Sequence, residues 1–328
     1  MIKVSKLSKH FGNLKAVDGI TFSVRKGEVF GLLGPNGAGK TTTIKMLTTL
    51  IKPTSGRATL AGNSISANKN LVRSSIGIIF QDPSLDDELT GKENLEFHAM
   101  LYNLKKEHTK QRLTEVLKLV ELEDKADVLV KHYSGGMKRR LEIGRGLMHE
   151  PKILFLDEPT IGLDPQTRRH IWEYIKKLNK LSGTTIILTT HYIEEADYLC
   201  DRVAFIDHGK IVALNTPTSL KHSMGGDVIS LGISGDDAKI VMQEIKKLKD
   251  IKSVCAQPEG VDITVQNGEQ HIPEIVKIVQ MNNVELRWVN LHKPSLEDVF
   301  IHYTGRGIRE EEGNWKSNIR AVIAKRGR

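Results

Sequence analysis

"GPNGAGKT", residues Gly34–Thr41, fits the pattern G-x-x-x-x-G-K-[ST]. Its chemistry requires a strand before it and a helix after it. Upstream, "ITFSVRKGEVFGLL" alternates apolar and polar positions and then turns almost wholly apolar, as a strand does on entering a buried sheet. Downstream, Ile44, Leu47, Leu50 and Ile51 recur at helical spacing, and Pro53 closes the segment. Gly34, Pro35, Asn36, Gly37, Ala38, Gly39, Lys40, Thr41 and Thr42 therefore form the candidate nucleotide cradle. The three glycines let the backbone curl so that N–H groups face phosphates, Lys40 reaches the β and γ oxygens of ATP, and the Thr41 hydroxyl is placed to ligate Mg²⁺.

Two further apolar runs, "IGIIFQ" and "KILFLDEP", are bounded by turn or polar residues, as buried strands of a mostly parallel sheet are. The second ends in Asp157, positioned for the Mg²⁺ shell, and in Glu158, positioned to orient the water that attacks the γ-phosphate. "TIILTTH" is another such strand and ends in His191, a residue able to touch a γ-phosphate. Between Thr90 and Glu150 the pattern turns helical, with Leu113, Val116, Leu117 and Val120 on one face. Within it lies "YSGGMKRRLEIGRG", Tyr133–Gly146, whose Ser134-Gly135-Gly136 turn precedes a basic helix. Read alone, that turn is either a plain helix cap or a second grip for anions.

After Pro217 the texture changes. "DVISLGIS", "IKSVCAQ", "VDITVQN" and "VELRWVNL" are strand-like, and "DDAKIVMQEIKKLKD" and "IPEIVKIVQMNN" are helical. The order β-α-β-β-α-β is the split βαβ, or ferredoxin-like, plan. The expected organisation is an α/β nucleotide-binding domain over 1–219 with a helical part at about 90–150, a small α+β domain over 220–304, and a basic tail over 305–328.

Composition narrows the function classes. The formal charge is +8, but from Arg306 to Arg328 seven Lys or Arg face three Glu, so the tail supplies +4 and the remainder is nearly balanced. With no zinc-ligand spacing and no aromatic RNA-binding pattern, nucleic acid is not an expected partner. In the tail, Trp315, Ile319, Val322 and Ile323 fall on one helical face, which suggests weak docking on an anionic membrane surface. Cys200 and Cys255 form no CxxC pair, in keeping with a reducing compartment. No uncharged apolar run approaches the ~20 residues that span a bilayer.

Taken in order, these stations resemble the ATP-binding subunits of ABC transporters, and among them the daunorubicin-resistance type of ABC-2 exporter ATPases. The resemblance runs from residue 2 to about 305 and ends in "KPSLEDVFIHYTGRG", similar to the C-terminal block of those exporters. It implies that Phe11 in "HFG" stacks on adenine, that Gln81 in "FQDP" is the Q-loop glutamine serving catalysis and the metal, that "YSGGM" is the signature, that Asp164 in "GLD" is the D-loop residue, and that His191 is the switch histidine beside Glu158. It further implies head-to-tail dimers, in which Ser134, Gly135 and Gly136 of one chain complete the γ-phosphate site on the other. Tyr133 and Met137 depart from the usual LSGGQ at its two ends. ATP hydrolysis would then drive separate membrane-spanning permease subunits from the cytoplasmic face of the membrane. The alternative is a soluble ATPase of the same superfamily acting on ribosomes or DNA; such proteins usually fuse two cassettes or insert a coiled coil, and this sequence has one cassette.

Overall fold

A computed structural model of the chain describes residues 1–82, 84–257 and 260–305; the expected basic, membrane-docking tail lies outside them. The chain forms two compact units that divide between Ile211 and Val212. The first unit runs through β1 (Ile2–Phe11), β2 (Leu14–Val24), β3 (Val29–Leu33), α1 (Lys40–Leu47), β4 (Ser55–Leu60), β5 (Asn63–Ser64), α2 (Lys69–Ser74) and β6 (Ile76–Ile79). It continues with α3 (Gly91–Leu101), α4 (Lys106–Leu119), α5 (Gly135–Leu147), β7 (Ile153–Asp157), α6 (Pro165–Ser182), β8 (Thr185–Thr190), α7 (Ile193–Leu199), β9 (Arg202–Asp207) and β10 (Lys210–Asn215), the last of which crosses the division.

Two sheets organise this unit: a four-stranded one in the order β2-β1-β4-β5 and a six-stranded one in the order β10-β9-β3-β8-β7-β6. Within the latter, β3, β7 and β8 are buried along their whole length, which is why their sequences run apolar instead of alternating. Parallel register then fixes the position of the chemistry. Leu33 pairs with Thr190, Asp157 with Thr189, and Ile79 with Leu156. The residues that follow these strands, Gly34, Gln81, Glu158 and His191, therefore emerge along one C-terminal edge, where open α/β sheets hold their ligands.

The helical segment packs on itself, burying Leu95 and Ala99 of α3, Leu113, Val116 and Leu117 of α4, and Leu141, Ile143 and Leu147 of α5. A capping box between Thr90 and Glu93 starts α3. α1 is shorter than its apolar spacing predicts. It ends at Leu47, Thr49 takes a left-handed φ of 64°, and Leu50 is 52% exposed. The Thr49 N–H donates to the carbonyl of Met46 at 3.1 Å and the Leu50 N–H to that of Lys45 at 2.9 Å, so a left-handed backbone cap closes the helix, and the Thr48 hydroxyl adds a bond to the carbonyl of Ile44 at 2.8 Å.

The second unit contains α8 (Pro217–Ser223), β11 (Asp227–Gly232), α9 (Gly235–Ile245), β12 (Ile251–Gln257), β13 (Gly260–Val265), α10 (Gly268–Met281), β14 (Trp288–His292) and α11 (Leu296–Thr304). Its antiparallel sheet has the order β12-β13-β11-β14. That is the ferredoxin-like arrangement expected from the β-α-β-β-α-β order. Ile229, Leu231, Val241, Ile245, Ile263 and Val279 form its core. The "KPSLEDVF" block turns from β14 into α11, where Ser295 and Asp298 make a second capping box. No helix among the described residues is long and apolar enough to cross a membrane.

Candidate functional site

The loop between β3 and α1 can only be built with glycine at two points. A Cβ on Gly34 would lie 2.1 Å from the carbonyl oxygen of Ile206, and one on Gly39, whose φ is 104°, would lie 2.4 Å from that of Ala16. Beneath the arch sits Lys40, 5% exposed, its Nζ donating to the carbonyls of Gly34 at 2.7 Å and Pro35 at 3.1 Å and lying 3.4 Å from Glu158 Oε1. Lys40, Thr41 and Thr42 open α1, so the loop's amides and the positive end of the helix share one small volume. Such a cradle suits a polyphosphate.

Asp157 and Glu158, both buried, close that volume from β7. Asp157 Oδ1 accepts from the Thr41 hydroxyl at 3.1 Å and from the Thr189 hydroxyl at 2.5 Å. Burial pushes the Asp157 carboxyl above its ordinary range, against the pull of those two bonds. A hydroxyl and a carboxylate this close are a hard-oxygen pair of the kind Mg²⁺ prefers, with its remaining positions left to phosphate and water. Among the described residues no group of three His, Cys, Asp or Glu could hold a metal without such help.

Glu158 differs from its neighbour. Burial alone would raise its carboxyl, but the bond to His191 and the ammonium of Lys40 outweigh it and hold the group below its ordinary value. His191 Nδ1 lies 2.8 Å from Glu158 Oε2. Glu158 also takes a left-handed φ of 50°, uncommon for a side chain of this size. Its N–H donates to Thr189, to the hydroxyl at 3.0 Å and the carbonyl at 3.2 Å.

The other expected site residues stand apart from this cluster. Gln81 is exposed, just past β6, and among the described residues makes no hydrogen bond with Thr41, Asp157 or Glu158. Phe11 is 50% exposed at the end of β1, with Lys9 Nζ 5.0 Å from its ring centre. Asp164 caps α6, accepting from the N–H groups of Gln166 and Thr167, and the Thr167 bonds first among these hold its carboxyl below the usual range. Ser134 caps α5, its hydroxyl accepting from Met137 N–H at 3.3 Å. Gly136 lies against α6, where a Cβ would sit 2.7 Å from Thr167 Cγ2. Ser134, Gly136, Met137 and Arg140 line a cavity of about 500 Å³ whose other described walls come from α6 and Glu121, with no residue of Gly34–Thr42 among them.

Three features escaped sequence reading. Thr189 is one more β-branched residue in an apolar strand until the register sets its hydroxyl against Asp157. Tyr133 is buried: its hydroxyl donates to the carbonyl of Lys125 at 2.6 Å and lies where a Cβ on Gly91 would come within 2.3 Å, so the aromatic departure from LSGGQ serves α3 packing. Arg139, read as one charge of a basic helix, is 7% exposed and turned inward.

Comparison with known proteins agrees with this geometry. A family model described as ABC transporter matches residues 17–161, and one described as ATP-binding protein DrrA1-3-like, C-terminal domain, matches residues 216–304. The linearmycin resistance ATP-binding protein LnrL of Bacillus subtilis (strain 168) is 39% identical over 94% of this chain and 100% of its own length. The daunorubicin resistance ATP-binding protein DrrA2 of Streptomyces coeruleorubidus is 38% identical over 95% and 97%. The Nod factor export ATP-binding protein I of Ralstonia nicotianae is 39% identical over 94% and 95%. Among solved structures, cbiO1 of Clostridium perfringens, part of an ABC transporter complex, superposes with a TM-score of 0.63 at 32% identity over 68% of this chain and 92% of that one. A dimeric ATP-binding cassette in a post-hydrolysis state, bound to ADP and Pi, superposes with a TM-score of 0.58 at 29% identity over 66% and 98%. The likeness to these ATP-binding proteins runs almost end to end, and the chain belongs to the ATP-binding proteins of ABC transporters, in the group with the DrrA1-3-like C-terminal domain.

Proposed function

We propose that this chain is the ATP-hydrolysing motor of an ABC-2 type exporter of drugs, lipids or similar compounds, acting on separate membrane-spanning subunits from the cytoplasmic face of the membrane. Residues 1–219 would be the motor and 220–304 a dimer-stabilising or partner-contacting module. The observation that carries the reading is the convergence, at one sheet edge, of Lys40 beneath the phosphate loop, the Thr41–Asp157 oxygen pair and Glu158 held ionised beside His191. The exporter assignment draws on relatives named for linearmycin and daunorubicin resistance and for Nod factor export.

In this mechanism the loop amides and Lys40 bind the β and γ phosphates of ATP. Mg²⁺, held by Thr41 and Asp157 with Gln81 brought to it when the site closes, would neutralise charge on those phosphates. Glu158 accepts a hydrogen bond from the attacking water and aligns it with the γ phosphorus; the bond to water's oxygen forms as the bond to the ADP oxygen breaks. His191, fixed by Glu158, meets the γ-phosphate, and Phe11 covers the adenine. Ser134 and the amides of Gly135 and Gly136 serve the ATP of a second chain: their cavity is walled by α5 and α6 and has no part of the phosphate loop in it. Asp164 heads α6, one of the two helices that wall that cavity. ATP then joins two chains, which explains why one sequence carries two phosphate grips.

Phosphate release by the purified chain tests the reading. Wild type should hydrolyse ATP, and Lys40→Ala should lose nucleotide binding. A wild-type chain that binds no ATP would refute it. Copurification from membranes with a protein of several apolar spans tests the exporter assignment, and recovery of the intact chain only from the soluble fraction of the cells that naturally make it counts against it.

A further inference from the structure

Arg139 makes five hydrogen bonds from the interior of α5. Its Nε donates to the carbonyl of Pro159 at 2.6 Å, and its Nη2 to those of Asp157 and Glu158, each at 3.3 Å. Its Nη1 donates to the carbonyl of Phe80, immediately before Gln81, at 2.9 Å, and to Glu142 Oε2 at 2.9 Å. Glu142, 2% exposed, accepts the N–H of Ser84 on its other oxygen at 2.8 Å. Arg145 then reaches the carbonyl of Ser84 at 3.1 Å. One face of the helix that begins at Ser134 is thus bolted to the chain on both sides of Gln81 and to three successive carbonyls around Glu158.

Those carbonyls belong to a strained turn. A glutamate at φ 50° persists only where its surroundings over-determine it, and Arg139 fixes the peptides before, at and after it while Thr189 holds its N–H. Neither Arg139 nor Glu142 is exposed enough to be a surface ion pair, and a buried pair of this kind adds little stability over an apolar one while demanding its geometry. Both charges are placed where geometry matters most.

We propose that Arg139 and Glu142 are positioning residues for hydrolysis: the pair holds Glu158 in its left-handed turn and ties Gln81 and the catalytic strand end to the signature helix, so that engagement of Ser134 is felt at both. This rests on the reading of Glu158 and the signature given above. The carbonyls that Arg139 binds, of Phe80, Asp157, Glu158 and Pro159, are not those of Gly34 and Pro35 to which Lys40 donates beneath the phosphate loop, so ATP affinity and catalysis should separate.

The test compares wild type with Glu142→Gln, which keeps the side chain's shape, and with Arg139→Gln. Phosphate release, KM for ATP, bound ATP per chain and melting temperature are measured for each. On this proposal kcat per bound nucleotide falls about tenfold or more while KM stays within about twofold, the split expected when an interaction serves the transition state alone. The double variant should be no slower than Arg139→Gln, because the two act as a unit. Melting temperatures that fall while kcat per bound nucleotide stays at the wild-type value would mean that the pair only packs the core, and would overturn the proposal. Should Arg139→Gln fail to fold, Glu142→Gln alone decides. Unchanged kcat in a wild-type background that hydrolyses ATP sinks this proposal only; a wild-type chain without phosphate release sinks it together with the proposed function.

Discussion

Replacing Thr189 by Val removes one hydroxyl from the centre of the site and almost nothing else. The two side chains have the same shape, and Thr189 is fully buried, so no new cavity opens. Asp157 Oδ1 loses its 2.5 Å partner and keeps Thr41 at 3.1 Å; Glu158 N–H loses the hydroxyl at 3.0 Å and keeps the carbonyl at 3.2 Å. A hydrogen bond to a charged, buried acceptor contributes about 1.5–3 kcal/mol, and the half-retained amide adds little, so the loss in stability should be about 2 kcal/mol. With that hydroxyl gone, burial pushes the Asp157 carboxyl further up, against the charge it needs for its proposed hold on Mg²⁺. If about 1.4 kcal/mol of this reaches the transition state, kcat falls about tenfold. Thr189→Ser separates hydroxyl from packing: it keeps both bonds and gives up one buried methyl, about 1 kcal/mol of stability with kcat near wild type. Urea unfolding and phosphate release, run on all three chains, read both numbers. A Val variant with wild-type turnover beside a crippled Ser variant would refute the reasoning, since packing and not the hydroxyl would then matter.

Two other expectations follow from the same geometry. Glu158→Gln keeps the shape of the group beside Lys40 and His191 but not its charge, so it should bind ATP, stop turning over and accumulate as a dimer in size-exclusion chromatography with ATP; a monomer with normal activity would contradict that role. His98, whose imidazole is pushed down to about 4 mainly by burial and then by Arg145 and His149, is neutral in the fold and charges more readily when unfolded. Its contribution is therefore complete above its ordinary value of 6.5 and is lost as pH falls from there through about 4, so the melting temperature should drop across that window and drop less in His98→Gln. Equal slopes in the two chains would show that His98 is not responsible.

Much of this molecule is legible in the sequence because its signals are local. Gly34–Thr41 announces its strand, loop and helix by spacing, and the apolar runs ending at Asp157 and His191 announce parallel strands by having no polar face. The C-terminal unit reads as β-α-β-β-α-β because each element alternates or repeats at its own period. What sequence misses is set by register and long-range packing. Thr189 matters only because the register of β8 on β7 sets it, two residues before His191, opposite Asp157. Arg139 and Glu142 sit in "GMKRRLEIG", where Lys138 and Arg140 stay half-buried and Arg139 alone of the three basic residues is buried, and nothing local marks the one that turns in. The premature end of α1 is different: it is a local left-handed turn carried by Thr49 where no glycine marks it, so Leu50 keeps the helical spacing but lies beyond the helix.

The central claim is that each ATP lies between the phosphate loop of one chain and the Ser134 turn of another. Its most direct measurement is ATP-dependent dimerisation, by analytical ultracentrifugation, of Lys40→Ala and Ser134→Arg, each in a Glu158→Gln background, alone and mixed. Neither alone has an intact site, because each site needs Lys40 from one chain and Ser134 from the other; a mixed dimer has one site with both. The account requires a dimer in the mixture and in neither component alone, with Glu158→Gln by itself dimerising as the reference. If Ser134→Arg dimerises with ATP unaided, or if the mixture stays monomeric while the reference dimerises, then Ser134 does not complete the site of a second chain.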